Sequence, residues 1–190
     1  MSKEEFSNHL DSILRLLEKG KGLRLHDKFT EKKIERSQLS DFLMNKIVEL
    51  YLLGKIYPDY KEDPKYQDFI RNSGSTLRIL TSEIVDYIIK IENELRESFY
   101  SVEQWKNHIC WRRSAVEALK EMYKDTPLKE LYYELDTEDL DDSIEMRAHK
   151  EGGLEEEQIP KGIPTSHWWW WSPQLPPNDR NIMNQTVQIN

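Results

Sequence analysis

Four consecutive indoles, Trp168, Trp169, Trp170 and Trp171, follow directly on His167. Tryptophan combines a large apolar body with one polar N–H, and it dominates the energetics of binding surfaces. In an extended chain, neighbouring side chains point to opposite sides, so two indoles face each way. Such a run needs a groove, two surfaces or a bilayer interface. It lies within IPKGIPTSHWWWWSPQLPP, where Pro160 and Pro164 forbid a regular helix and favour an extended, polyproline-like arm. Two readings follow. Either the arm folds back and its indoles fill a groove on its own bundle, or His167 and the four tryptophans anchor a partner protein. A bilayer role is disfavoured because the preceding segment (Glu155, Glu156, Glu157) is acidic, whereas anionic lipids attract lysine and arginine.

The charges separate along the chain. Residues 1–124 hold 22 Lys/Arg and 21 Asp/Glu, whereas residues 125–190 hold 5 and 14. Asp139, Asp141 and Asp142 stand in the densest acidic run, which suits the steering of a basic partner. One feature has the opposite sign. Arg24, Lys28, Lys32 and Arg36 are spaced four apart, so a helix there would carry a basic stripe able to hold phosphate or nucleic acid.

Residues suited to catalysis are few. The chain contains no glycine-rich phosphate loop, no H-E-x-x-H and no G-x-S-x-G. Glu5/His9 and Glu145/His149 stand four apart, not at the three-residue Glu-x-x-His spacing of bundle di-metal sites. No metal or cofactor is expected. Helical spacing puts Trp105, His108 and Arg112 on one face, a possible polar pocket and the centre of any enzymatic reading. Cys110 reads as a small buried hydrophobe.

The elements that must position these groups read as helices. Ser2/Glu5 has the form of a capping box before Phe6, Leu10, Ile13, Leu14 and Leu17, with Gly20 and Gly22 as the stop. A second helix starts near Thr30 or Ser37 and ends at Gly54. Asp63-Pro64 starts a third, and Ser73-Gly74-Ser75 breaks it near Asn72. A fourth spans about 75–97 on Leu77, Leu80, Ile84, Ile88, Ile91 and Leu95. Ser101/Gln104 opens a fifth through Tyr123. Thr126-Pro127 starts a short one, and Thr137 caps an acidic helix that stops at Gly152-Gly153. No stretch alternates convincingly as a strand.

The expected fold is all-α, an antiparallel bundle of five to seven helices over residues 1–150. Residues 151–190 form the acidic, then Pro/Trp-rich arm, its end disordered. With 190 residues, one cysteine, no apolar run long enough to cross a bilayer and no apolar leader, the chain reads as a cytoplasmic protein without disulfides. The function expected first is protein–protein interaction, as an adaptor, inhibitor or immunity-like factor, with another protein as partner, a basic one if the acidic run steers it. A nucleic-acid- or phosphate-binding bundle using the basic stripe is second, and an enzyme centred on His108 and Arg112 is third.

Overall fold

The computed structural model describes residues 3–21, 30–96, 101–126 and 135–174, and among them the protein is all-α. Its long helices are α1 (Lys3–Lys21), α2 (Thr30–Ile56), α3 (Pro64–Ile79) and α4 (Thr81–Arg96). A one-turn α5 (Val102–Gln104) leads through a π-helical segment (Trp105–Cys110) into α6 (Trp111–Tyr123), and α7 (Glu138–Glu151) closes the helical part. No described helix is long and apolar enough to cross a membrane. The Ser2/Glu5 box and the helix expected from Thr126-Pro127 fall partly or wholly outside the described residues.

The chain divides into two compact units. Unit 1 comprises residues 1–90 and 112–136, and unit 2 comprises residues 91–111 and 137–190. This division differs from the expected split at residue 150, because α7 belongs to the same unit as the Pro/Trp-rich segment.

In unit 1, side-chain pairs fix the helix directions. His9 Nε2 lies 2.8 Å from Glu49 Oε2, and the Phe6 and Tyr57 rings stand 5.5 Å apart, so α1 and α2 run antiparallel. Lys65 Nζ reaches Asp11 (3.1 Å), and Thr76 Oγ1 donates to the Leu17 carbonyl (3.4 Å), so α3 runs with α1. Arg36 pairs with Glu83 and Asp41 with Lys90, so α4 runs with α2. The result is an up-down-up-down arrangement around Phe6, Leu10, Ile13, Leu43, Ile47 and Phe69, all 0–1% exposed.

Local sequence explains most boundaries. Asp63 Oδ1 accepts from the Lys65 N–H (2.9 Å) and Pro64 fills the first helical position, so α3 starts where expected. The expected break at Ser73-Gly74-Ser75 does not occur. Ser73 and Thr76 are fully buried and their hydroxyls find tertiary partners, Ser73 at Tyr123 Oη (2.6 Å) and Thr76 at Leu17. The chain instead turns at Leu80, whose N–H still reaches Thr76 and Leu77. Likewise α2 continues through Gly54, where a Cβ would meet the Tyr60 ring at 2.9 Å. That glycine serves a close approach rather than a stop.

Arg36 and Glu83 are each 5% exposed. Arg36 Nε and Nη2 donate to the two carboxylate oxygens at 2.7 and 2.9 Å, and Nη2 also reaches the Ile79 carbonyl at 2.6 Å. Burial pushes the Glu83 carboxyl up, but the hydrogen bonds from Arg36 and Ser82 outweigh it and hold the group below its ordinary value. Removing one partner leaves a buried charge uncompensated. Arg36→Ala should therefore lower stability by about 3–5 kcal/mol in denaturant melts, and the double variant Arg36→Met/Glu83→Leu should recover most of it. Because the folded-state value is depressed, the pair's contribution is complete above the ordinary glutamate range. It is lost as pH falls below that range, and Glu83→Gln should flatten this acid limb.

Candidate functional site

The tryptophan run is built from backbone turns, not from an extended strand. His167 N–H bonds the Pro164 carbonyl (2.9 Å), Trp170 N–H that of His167 (3.1 Å), and Trp171 and Ser172 N–H that of Trp168 (2.9 and 3.1 Å). The three-residue period of this 3₁₀ turn (Trp168–Trp170) replaces the two-sided alternation expected of an extended arm. Trp169 and Trp170 are 1% and 0% exposed, Trp171 7% and His167 0%, while Trp168 is half-buried.

The receiving surface lies in the same unit. Ser101 and Gln104 form the expected capping box (2.9 and 3.1 Å) and start the helix. It then widens into a π turn in which the Trp111 N–H reaches back to Lys106. At the end of that turn Trp169 Nε1 donates to the Cys110 carbonyl (3.1 Å), and Cys110 Sγ donates to the Trp169 carbonyl (3.4 Å). The His167 imidazole stacks on Trp169 (4.7 Å, 24°), and Trp111 meets Trp170 edge-on (6.5 Å, 90°). Burial pushes the Cys110 thiol well above its ordinary value, so it is an inert packing group. His167 and Trp169–Trp171 are thus interior residues of unit 2, not a solvent-facing anchor for a partner.

What faces outward is α7. Leu140, Ile144 and Ala148, at steps of four, are buried and seat the helix. Thr137 takes the N-cap position, but its hydroxyl bonds Asp141 Oδ2 (3.4 Å) rather than a backbone N–H. Asp141 is half-buried as a result, whereas Glu138, Asp139, Asp142 and Glu145 are exposed. The first three of α7's acids also sit where a helix N-terminus favours negative charge. Met146 stands off the buried stripe and is 70% exposed. It borders a groove of about 340 Å³ between α7 and the last turns of α4, with Leu95, Glu92 and Arg96 on one wall and Asp139 and Lys150 on the other.

The other expected sites come out differently. Arg24 and Lys28 lie outside the described residues, and Lys32 lies in α2. Arg36 is removed from any solvent-facing stripe by its buried pairing with Glu83. Trp105 is buried, His108 Nδ1 lies 3.4 Å from Glu94 Oε1, and the Arg112 guanidinium stands over the Tyr87 ring (5.7 Å). Among the described residues no three His, Cys, Asp or Glu side chains gather as metal ligands. Glu145 lies 3.9 Å from His149 at the surface, and His9 is taken by Glu49.

Neither protein-family models, nor curated proteins, nor solved structures give a match to this chain.

Sequence reasoning missed the Met146 groove. The available signal was an apolar residue out of register with the Leu140/Ile144/Ala148 stripe, flanked by Glu145 and Arg147.

The seat of the tryptophan turn depends on Gly153, because a Cβ there would lie 1.8 Å from the Ser172 carbonyl oxygen. Gly153→Ala should free the turn while leaving the helices intact. The expected readout is about tenfold faster labelling of Cys110 by a thiol reagent for each roughly 1.4 kcal/mol of loosening, with red-shifted indole emission and unchanged helicity. Unchanged labelling would show that the Gly153–Ser172 approach does not hold the turn in place.

Proposed function

We propose that the chain is a protein-binding module whose unit 2 receives a basic surface of another protein on the acidic face of α7. The observation that carries this reading is the segregation of charge. Residues 91–111 and 137–190 hold 6 Lys/Arg against 14 Asp/Glu, a net of −8, while the rest holds 21 of each. The whole net charge of the protein thus belongs to one unit. On α7 that charge is outward, with Met146 exposed beside it.

Such a surface divides the labour of binding. The acidic field raises the encounter rate with a basic partner and rejects acidic ones. The flexible Met146 side chain and the groove beside it supply adaptable apolar contact. The indoles act indirectly, since their burial holds α7 at a fixed orientation within unit 2.

The test is affinity capture from the native lysate with the intact chain and with Glu138→Lys/Asp142→Lys/Glu145→Lys, followed by kinetics on the captured protein. These three side chains are exposed, so the fold should hold, with the melting temperature lowered only slightly by the lost negative charge of Glu138 at the start of α7. The association rate should fall about tenfold or more at low salt, and the two proteins should converge as salt rises. An unchanged set of partners, or an association rate indifferent to both charge and salt, would remove the acidic face from the mechanism.

A further inference from the structure

A second polar cavity lies wholly within unit 1. Its volume is about 300 Å³, and its wall is made by the end of α2, the 3₁₀ turn Pro58–Glu62, the start of α3 and the end of α6. On one side Tyr51 Oη donates to Glu121 Oε2 (2.9 Å), and Lys55 Nζ lies 3.5 Å from the same oxygen and 4.6 Å over the Tyr51 ring. Burial pushes the Glu121 carboxyl up, but Tyr51 and Lys55 outweigh it and hold it below its ordinary value. Glu121 is therefore ionised, bonded and matched in charge.

The other side carries two phenols, Tyr60 and Tyr66, which meet edge to face (4.9 Å, 79°). Burial above all raises both phenols above their ordinary value, so both stay protonated, and the Tyr60 hydroxyl lines the cavity as a neutral group able to donate. Lys61 and Lys124 are exposed at the rim, with Asp125 next to the latter. Lys124 as well as Lys55 acts on Glu121, so the lining as a whole carries three lysines, Lys55, Lys61 and Lys124, against two carboxylates, Glu121 and Asp125. Gly54 completes the arrangement, because only a residue without a side chain lets the Tyr60 ring lie against α2.

We infer that this cavity binds a small phosphate monoester. Lys61 and Lys124 act as two point charges from separate elements on one multi-oxygen anion, and the Tyr60 O–H is a third, neutral donor. Asp125 accepts a hydrogen bond from a hydroxyl of the esterified part, which distinguishes an ester from free phosphate. The volume suits a ligand the size of a sugar phosphate.

The experiment is calorimetric titration of the full chain with ribose 5-phosphate, inorganic phosphate and ribose at up to millimolar concentration. Ribose 5-phosphate should bind, inorganic phosphate should bind more weakly, and ribose should give no heat. Lys61→Gln and Lys124→Gln, both exposed and therefore neutral to folding, should each weaken the ester by about tenfold or more, and Tyr60→Phe by about fivefold. Asp125→Asn should narrow the gap between ester and free phosphate. Absence of binding by both phosphate probes, or binding that survives the two lysine substitutions, overturns the site. Equal affinity for ester and free phosphate overturns the assignment of the ester.

Discussion

Four adjacent indoles cannot be left in water, and no single flat surface can cover them. Unit 2 is organised around that constraint. The backbone resolves it by turning every three residues, which sends Trp169, Trp170 and Trp171 inward in different directions and leaves Trp168 half-covered. A turn so tight exposes its own N–H groups and carbonyls, and these are answered locally by Pro164, His167 and Trp168. The indole N–H of Trp169 is answered by the Cys110 carbonyl. The close approach of Ser172 to Gly153 then ties the end of α7 to the turn. Removing the indoles from the surface leaves charge as the main chemistry that unit 2 presents, so aromatic burial and the acidic face are two sides of one arrangement.

Unit 1 depends on polar groups placed deep between helices. The Arg36–Glu83 pair, the Ser73–Tyr123 hydroxyl pair and the Thr76–Leu17 contact each join helices distant in sequence. A buried pair of charges is weak evidence of net stability, because desolvation offsets the attraction, but it strongly disfavours any register in which either partner stands alone. The same logic explains why α3 tolerates Ser73-Gly74-Ser75. Hydroxyls that would compete with the helix backbone when exposed are satisfied across the bundle instead.

These cases define what the sequence made legible. The apolar spacing of α1 and α7 is readable from residue order alone, as are the Asp63-Pro64 start and the Ser101/Gln104 box, whereas the helix expected over 75–97 begins only at Thr81, with Leu77 in α3 and Leu80 at its end. Breaks assigned to small residues were misread at Ser73–Ser75 and at Gly54, because the deciding partners, Tyr123, Leu17 and Tyr60, lie far away in the chain or across a turn. Of the basic spacing, Lys32 and Arg36 lie one turn apart in α2, but periodicity does not report burial, and Glu83 lies 47 residues on from Arg36. The arm was recognised as a separate composition, yet its conformation was not. Prolines at 160 and 164 exclude a helix without selecting between an extended chain and a folded turn.

The two surfaces demand opposite electrostatics, and the division of the chain supplies them. A face that attracts a basic protein needs an uncompensated negative field, whereas a cavity for a phosphate needs that field to be absent at its mouth. At physiological ionic strength, fields between exposed charges fade over about 8 Å, so each surface responds chiefly to the charges close to it. Unit 2 carries the full excess of −8, and unit 1 is balanced at 21 against 21. Within that neutral setting a small local excess, three lysines over two carboxylates, is enough to set the sign of the cavity. Had the acids of α7 been scattered over both units at the same total charge, the negative field of unit 2 would have been diluted and the positive excess of the cavity lining would have been lost.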